Sequence, residues 1–382
     1  MKTLQKILCC VALIVATSCS NTPDKMLTVI HADGSCSREF SAYADSAFMT
    51  GTISEETNPF PVEIDSTYFI AWKYKGGETR TDFPISQSMY DSLLLTDTTT
   101  SKPTNAEDDF LVFASRNYKS VEEMSKESKI KPSHPWNGMD AKYSFEKKFR
   151  FFYSYFTYKE TYPKIDFPFD VPIENYMEKE EADFWFTGKP NLVQGMNGLE
   201  TREYTNELGK RYDKWFARFM WYSQYGVFIV HYDTINSPPV SKEELARLKD
   251  TIFEASYKSD EIMDEMSVCL DNFFETKVFS EFSKTRDSLM GEHHKDVGEQ
   301  NFALICGNSY AYQLIMPGEI IFTNGVNRND TLNWHLDVNR MFRGDYTIEA
   351  QSRKLNAWML IFTGLLAITA IVIFIYKRRK FV

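Results

Sequence analysis

Six histidines, six cysteines and 53 carboxylates are the side chains that could hold a metal or work on a substrate. Glu292-His293-His294-Lys295-Asp296 is the one cluster of histidines. Neighbouring residues on a helix point ~100° apart, so both imidazoles cannot easily reach one ion. The stretch also follows Gly291 at an expected helix end, where His and Lys suit the negative pole of the dipole. His231-Tyr232-Asp233 could orient an imidazole, but no nucleophile on a recognisable elbow or loop accompanies it. Glu178-Lys179-Glu180-Glu181 reads as a solvated face rather than an acid/base pair. There is no phosphate-binding loop, no GxGxxG turn and no HExxH pair. The sequence therefore assigns no catalytic, cofactor-binding or metal-ligating residue and implies no cofactor. Cys9, Cys10 and Cys19 sit near the N-terminus, leaving Cys36, Cys269 and Cys306. Three thiols make at most one bridge, and buried thiols are expected in a chain of this size.

The elements that must position any site are clearest at the two ends. Leu355 to Tyr376 is 22 residues without a charge, followed by Lys377-Arg378-Arg379-Lys380. A helix of that length covers ~33 Å, enough to span a ~30 Å hydrocarbon layer, and basic residues stay on the cytoplasmic side. At the other end Lys2 and Lys6 precede an apolar stretch, Ile7 to Val15, and then Ala16-Thr17-Ser18-Cys19. A basic start, a short apolar run and small residues describe a secretory signal over 1–18. The Ala16–Cys19 stretch resembles a bacterial lipobox. That resemblance implies lipidation at Cys19, which would become the mature N-terminus, acylated with palmitate-type chains. An ectodomain anchored in a bacterial inner membrane is expected, N-terminus out and C-terminus in, facing the periplasm. Residues 377–382 form the cytoplasmic tail.

Charge narrows the partners. With the six terminal basic residues set aside, 37 basic residues face 53 acidic ones, a charge of −16 on the ectodomain. Such a body repels phosphates, which excludes nucleic acid and argues against broad docking onto anionic headgroups. Aromatic residues make up 15% of the chain, enough for a sizeable core.

Between the anchors the pattern changes twice. Residues 19–172 carry strand signals, such as Ser66–Tyr74 ending at Gly76-Gly77. Tyr143–Tyr162 has aromatics on both parities, expected of one long strand covered on both faces, or of one that bends partway. Leu95–Asp109 is a polar loop, and Ser120–Lys131 suits a short helix. Residues 173–295 switch to a period of 3.6: Tyr204, Leu208, Tyr212, Trp215, Phe219 and Tyr222 form a stripe on one helix face. After Pro238-Pro239, Ser241 and Glu244 form a capping box, with Val240 stapled to Leu245. The apolar face from Leu245 to Phe274 is expected to run over two helices. Strand signals return over 296–354, broken by Pro317-Gly318 and by Asn- and Gly-rich turns. The expected fold is an α+β, mostly antiparallel domain split by a helical insertion, with a transmembrane helix at 355–376.

Met316-Pro317-Gly318-Glu319, Thr323-Asn324-Gly325, Leu332–Leu336 and Ile348–Ser352, followed by the apolar helix, resemble LppM-like bacterial lipoproteins over residues 310–376. The resemblance implies a β-rich extracytoplasmic module contacting lipid or glycolipid, and carries no catalytic residues. The long helical insertion departs from that family's compact form. Eight Asp-Ser/Thr-apolar tripeptides are similar to acceptors of a general periplasmic O-glycosylation system. They imply glycans on exposed members of the set Ser46, Ser66, Ser92, Thr98, Thr234, Thr251, Ser288 and Thr331. The expected function is a binding module of the periplasmic face, taking a lipid, a glycolipid or an envelope protein. The alternative is an envelope hydrolase or transferase.

Overall fold

The computed structural model describes residues 24–95, 109–134, 136–166, 169, 171–259, 266–285 and 309–380. Helices and mostly antiparallel sheets make it an α+β protein with one apolar helix near the C-terminus. The chain divides into two compact units. One draws on Asn21–Pro163, Ser309–Leu336 and Asp345–Val382 and carries the two sheets formed among the described residues. The other draws on Lys164–Asn308 and Asp337–Gly344 and is helical.

The β-unit has a seven-stranded sheet in the order β3-β4-β2-β1-β7-β10-β9 and a four-stranded sheet in the order β5-β6-β11-β8. In chain order the strands are β1 Lys25–Ile30, β2 Cys36–Tyr43, β3 Phe69–Tyr74, β4 Phe110–Tyr118, β5 Lys142–Arg150, β6 Tyr153–Tyr162, β7 Ser309–Ile315, β8 Glu319–Thr323, β9 Val326–Arg328, β10 Thr331–Asp337 and β11 Tyr346–Leu355. Three short helices, α1 Ser46–Met49, α2 Gln87–Leu95 and α3 Val121–Glu127, accompany them. Strands from both halves of the sequence pair directly. β1 runs parallel to β7 with Lys25 opposite Ala311, and β11 runs antiparallel to β6 with Tyr346 opposite Tyr162. Alternation sets the core: Phe156, Tyr158 and Tyr162 of β6 are buried, as are Ile348 and Ala350 of β11 and Tyr312 and Leu314 of β7.

Tyr143–Tyr162 is two strands and not one. β5 and β6 are joined by the two-residue turn Phe151-Phe152, with Arg150 opposite Tyr153. The turn explains the double parity. Tyr143, Phe145 and Phe149 on β5 lie across from Glu160, Tyr158 and Ser154 on β6, so odd positions of one strand share a face with even positions of the next. The last helix, which we call α9 (Ala357–Lys380), begins two residues later than the uncharged run. Leu355 ends β11, and Asn356 is the joint between strand and helix.

The helical unit comprises α4 Lys179–Thr187, α5 Gly198–His231, α6 Lys242–Lys258, α7 Met266–Phe274 and α8 Val278–Thr285. The stripe expected from Tyr204 to Tyr222 lies on α5 and runs on through Tyr225 and Phe228, so the helix reaches 34 residues, about 51 Å. Leu208, Trp215 and Phe219 are buried from it, and Trp215 donates its indole N–H to the Val171 carbonyl at 2.8 Å. Trp221, Tyr225 and Phe228 pack with Leu245, Ile252 and Phe253 of α6, Leu270 of α7 and Phe279 of α8. Ser241 caps α6 by accepting from the Glu244 amide at 3.2 Å. The reciprocal half of the expected box is replaced, because the Glu244 carboxylate takes Arg247 at 2.6 Å. The Asp271 carboxylate, 6% exposed, caps α8 by accepting from the Phe279 and Ser280 amides at 2.9 Å each.

Candidate functional site

Two places in the β-unit concentrate side chains beyond what strand packing asks for. The first is an ionic cluster between the sheets. Alternation turns Thr28, Arg38 and Tyr312 of the seven-stranded sheet inward, and Tyr143, Tyr158, Glu160 and Tyr162 of the four-stranded one. Arg38 and Glu160 are 2% and 0% exposed and meet at 2.8 Å. Arg38 also donates to Thr28 Oγ1 at 3.1 Å and to the Tyr143 hydroxyl at 2.8 Å. Glu160 accepts from Tyr158 and Tyr312 at Oε2, 2.8 and 2.6 Å, and from Tyr162 at Oε1, 2.6 Å. Two buried charges are tolerated because each has an opposite partner and several hydrogen bonds. Burial, and then the Glu160 charge, hold the Tyr158, Tyr162 and Tyr312 hydroxyls well above the usual phenol range. Burial opposes the Arg38 charge, but Glu160 beside it leaves the guanidinium more basic than usual. The three tyrosines keep their protons and the arginine its charge at neutral pH. The cluster is suited to locking the two sheets in register.

Beside it lies a cavity of about 30 Å³ lined by Arg38, His134, Asp140, Tyr143, Tyr162 and Tyr310, among others. That holds about one or two waters and is far below the ~300 Å³ of a small-molecule site. His134 Nδ1 accepts from the Trp136 amide at 3.1 Å, so the ring proton sits on Nε2, 2.8 Å from the Tyr310 hydroxyl. Burial, with Lys131 nearby, lowers its pKa to about 4.

The second place is the edge where β11 passes into α9. The register sets Leu355 opposite Tyr153, so the tip of the β5–β6 hairpin lies beside the first turn of α9. Asn356 fastens the two together. Its amide donates to the Phe152 carbonyl at 2.7 Å, its Nδ2 to the Phe151 carbonyl at 2.9 Å, and its Oδ1 accepts from the Ser154 hydroxyl at 2.8 Å. Phe149 stacks on Trp358 with centroids 6.0 Å apart. A half-open groove of about 280 Å³ runs along this edge between Ala32, Lys147, Phe156, Lys354 and Trp358. Phe149, Phe151, Phe152, Leu355 and Trp358 all stay exposed, by 56, 50, 37, 45 and 60%. The helix beyond them, Ala357–Lys377, is long and apolar enough to cross a membrane, and only 6% of it is covered by the rest of the chain.

The residues singled out in the sequence are scattered. Cys19, Thr98, Ser288, Cys306 and the Glu292–Asp296 cluster lie outside the described residues, as does the 1–18 segment. Ser46, Ser66, Ser92, Thr234 and Thr251 are exposed, and Thr331 is half-buried within β10. Local structure uses several of the preceding aspartates: Asp45 caps α1, and Asp65 accepts from the Thr67 amide at 2.8 Å. The Thr234 hydroxyl donates to the His231 carbonyl at 2.6 Å. In the His231–Asp233 triplet, Tyr232 donates to the Val240 carbonyl at 2.6 Å and Asp233 takes Lys242 at 3.0 Å. Glu181 caps α4 by accepting from the Glu178 amide and takes Arg211 at 2.7 Å. Cys36 and Cys269 are both buried, and burial raises the Cys36 thiol to about 11. Among the described residues no three His, Cys, Asp or Glu side chains converge as metal ligands.

Neither place was picked out from the sequence, although both left a signal. Arg38 and Glu160 are charges on the apolar parity of their strands, in Cys36-Ser-Arg38-Glu-Phe40 and in Tyr158-Lys-Glu160-Thr-Tyr162. Phe151-Phe152 falls where two strand parities meet. No protein family, curated protein or solved structure matches the chain.

Proposed function

We propose that this chain is a membrane-anchored envelope protein, a binding module on the periplasmic face of a bacterial inner membrane. It takes a lipid, a glycolipid or an envelope protein. The observation that carries the reading is the joint at Asn356. An uncovered apolar helix leaves the β-unit without a flexible linker, and three hydrogen bonds from one side chain and its amide hold the hairpin against its first turn. An anchor built this way fixes the height and tilt of the β-unit over the bilayer, which suits recognition at that surface. The basic run Lys377–Lys380 favours the cytoplasm for the C-terminus, and a lipidated Cys19 would tie down the other end. The likeness of Met316–Ser352 to LppM-like lipoproteins points to the same setting, and exposed Ser46, Ser66, Ser92, Thr234 and Thr251 are the acceptors a glycosylation system could reach.

The test is protease accessibility in spheroplasts carrying the full chain with an epitope after Val382. Protease added outside is expected to remove the ectodomain and leave a fragment of about 3–4 kDa that keeps the epitope. An epitope cleaved from outside sinks the orientation. Native mass spectrometry of the protein from membranes then reads acylation of Cys19 and any retained lipid.

A further inference from the structure

The tip of the β5–β6 hairpin breaks a local rule. A two-residue hairpin turn favours Asn-Gly or a leading glycine, because the backbone must enter the left-handed region. Here Phe151 sits at φ +47°, a conformation that a bulky side chain rarely adopts. Phe152 follows it, and the two rings pack edge to face with centroids 4.7 Å apart. Neither ring is buried: Phe151 is 50% and Phe152 37% exposed, and Phe149 and Trp358, stacked on each other at the same edge, are exposed too. A strained turn that presents aromatic side chains to solvent marks a site that serves something other than the turn.

Position says what that something is. Register and the Asn356 bonds hold the tip level with the first turn of an apolar helix. If that helix spans the membrane, as proposed above, Phe149, Phe151, Phe152, Leu355 and Trp358 lie at the bilayer–water interface, the depth at which aromatic rings are favoured. Charge along the same edge is unlike the rest of the ectodomain. Lys147, Lys148, Arg150, Arg353 and Lys354 supply five cations against the carboxylates of Asp33, Glu146 and Glu319. Glu146 is taken by Lys148 and Glu319 by Arg353, both at 2.8 Å. Lys147 donates to the Ala32 carbonyl at 2.7 Å and, with the exposed Lys354, lines the groove beside Trp358.

We propose that the β5–β6 hairpin is a second membrane contact. Its Phe151-Phe152 tip inserts into the interface of the bilayer that α9 crosses, and Lys147 and Lys354 hold the phosphate of an anionic phospholipid in the groove behind it. The proposal rests on α9 spanning the membrane, and its test separates the two.

The full chain is placed in nanodiscs of phosphatidylcholine, with or without phosphatidylglycerol. A photoreactive benzoylphenylalanine replaces Phe151, Phe152, Ile368 in the middle of α9, or Phe69, which is 57% exposed on the edge strand β3. Lipid adducts are read by mass spectrometry. Adducts at 151 or 152 and at 368, with none at 69, are expected. Anionic lipid should be preferred at the tip, and Lys147→Gln and Lys354→Gln should each weaken that preference about fivefold. Two positions are used at the tip because a larger side chain at 151 could disturb the turn. Lipid adducts at 368 but at neither tip position overturn the hairpin contact and leave the spanning helix standing. No lipid at 368 overturns both. Crosslinks from the tip to a second copy of the chain replace the lipid with a protein interface, and equal yields with and without phosphatidylglycerol overturn the phosphate site.

Discussion

Replacing Arg38 or Glu160 tests whether the ionic cluster locks the two sheets. The structure predicts an order of effects as well as a size. Arg38→Met leaves the Glu160 carboxylate buried with three tyrosine donors but without its cation, a loss of about 3–5 kcal/mol. Glu160→Leu is worse. It strands the guanidinium and also removes the acceptor of the Tyr158 and Tyr162 hydroxyls, each costing about 1–3 kcal/mol when unmet, while Tyr312 keeps Thr28 Oγ1 at 3.1 Å. The Arg38→Met/Glu160→Leu double variant recovers the charge penalty but not the orphaned hydroxyls, so it stays below the native protein. Adding Tyr158→Phe, Tyr162→Phe and Tyr312→Phe should restore most of the stability, because matched apolar groups can replace a buried ion pair without loss. Hydrogen exchange of the full chain in detergent, read on peptides from β2, β6 and β7, resolves this without assuming that two units unfold as one. A loss of 3–5 kcal/mol lowers protection by about 10²–10⁴-fold, with α5 and α6 peptides as the internal reference. Glu160→Leu no worse than Arg38→Met, or a change below about fivefold in β2 and β6 for Arg38→Met, would refute the account.

His134 makes the β-unit sensitive to acid. Its folded pKa is held at about 4, below the ordinary 6.5, so the unfolded chain takes the proton first as pH falls. The contribution is complete above pH 6.5 and disappears progressively towards pH 4, up to about 2–3 kcal/mol once its partial solvent contact is allowed for. Denaturation of native and His134→Gln protein across that window should show the difference shrinking as pH falls; a constant difference excludes His134 as the titrating group. In the helical unit, Asp271→Ala removes both amide partners at the start of α8 and should cost about 1–3 kcal/mol. Faster exchange confined to α7 and α8 would report it, and unchanged exchange there would show that the cap contributes nothing.

Much of the secondary structure was legible because it depends on local periodicity. The 3.6-residue stripe on α5, the Ser241 cap of α6 and the breaks at Pro317-Gly318 are properties of neighbouring residues, and α5, α6, β7 and β8 appear where those signals place them. Tyr143–Tyr162 reads as one strand, straight or bent partway, for a physical reason. Its turn carries two phenylalanines in place of Asn or Gly, so no punctuation marks it, and only the register shows the chain reversing. The residue type that hid the turn is also what gives the tip its apolar surface.

By itself the sequence determined the apolar helix near the C-terminus, the mixed α and β character and the net negative charge, since these follow from composition and spacing along one chain. Only the tertiary structure decided which strands meet. Arg38 and Glu160 are 122 residues apart, and their pairing depends on β2 and β6 facing each other across the core, a long-range choice that no local pattern encodes. The same holds where β11 passes into α9. Asn356 and Phe151 are 205 residues apart, and they meet because β11 pairs with β6 in a register fixed by the alternating buried faces of both strands.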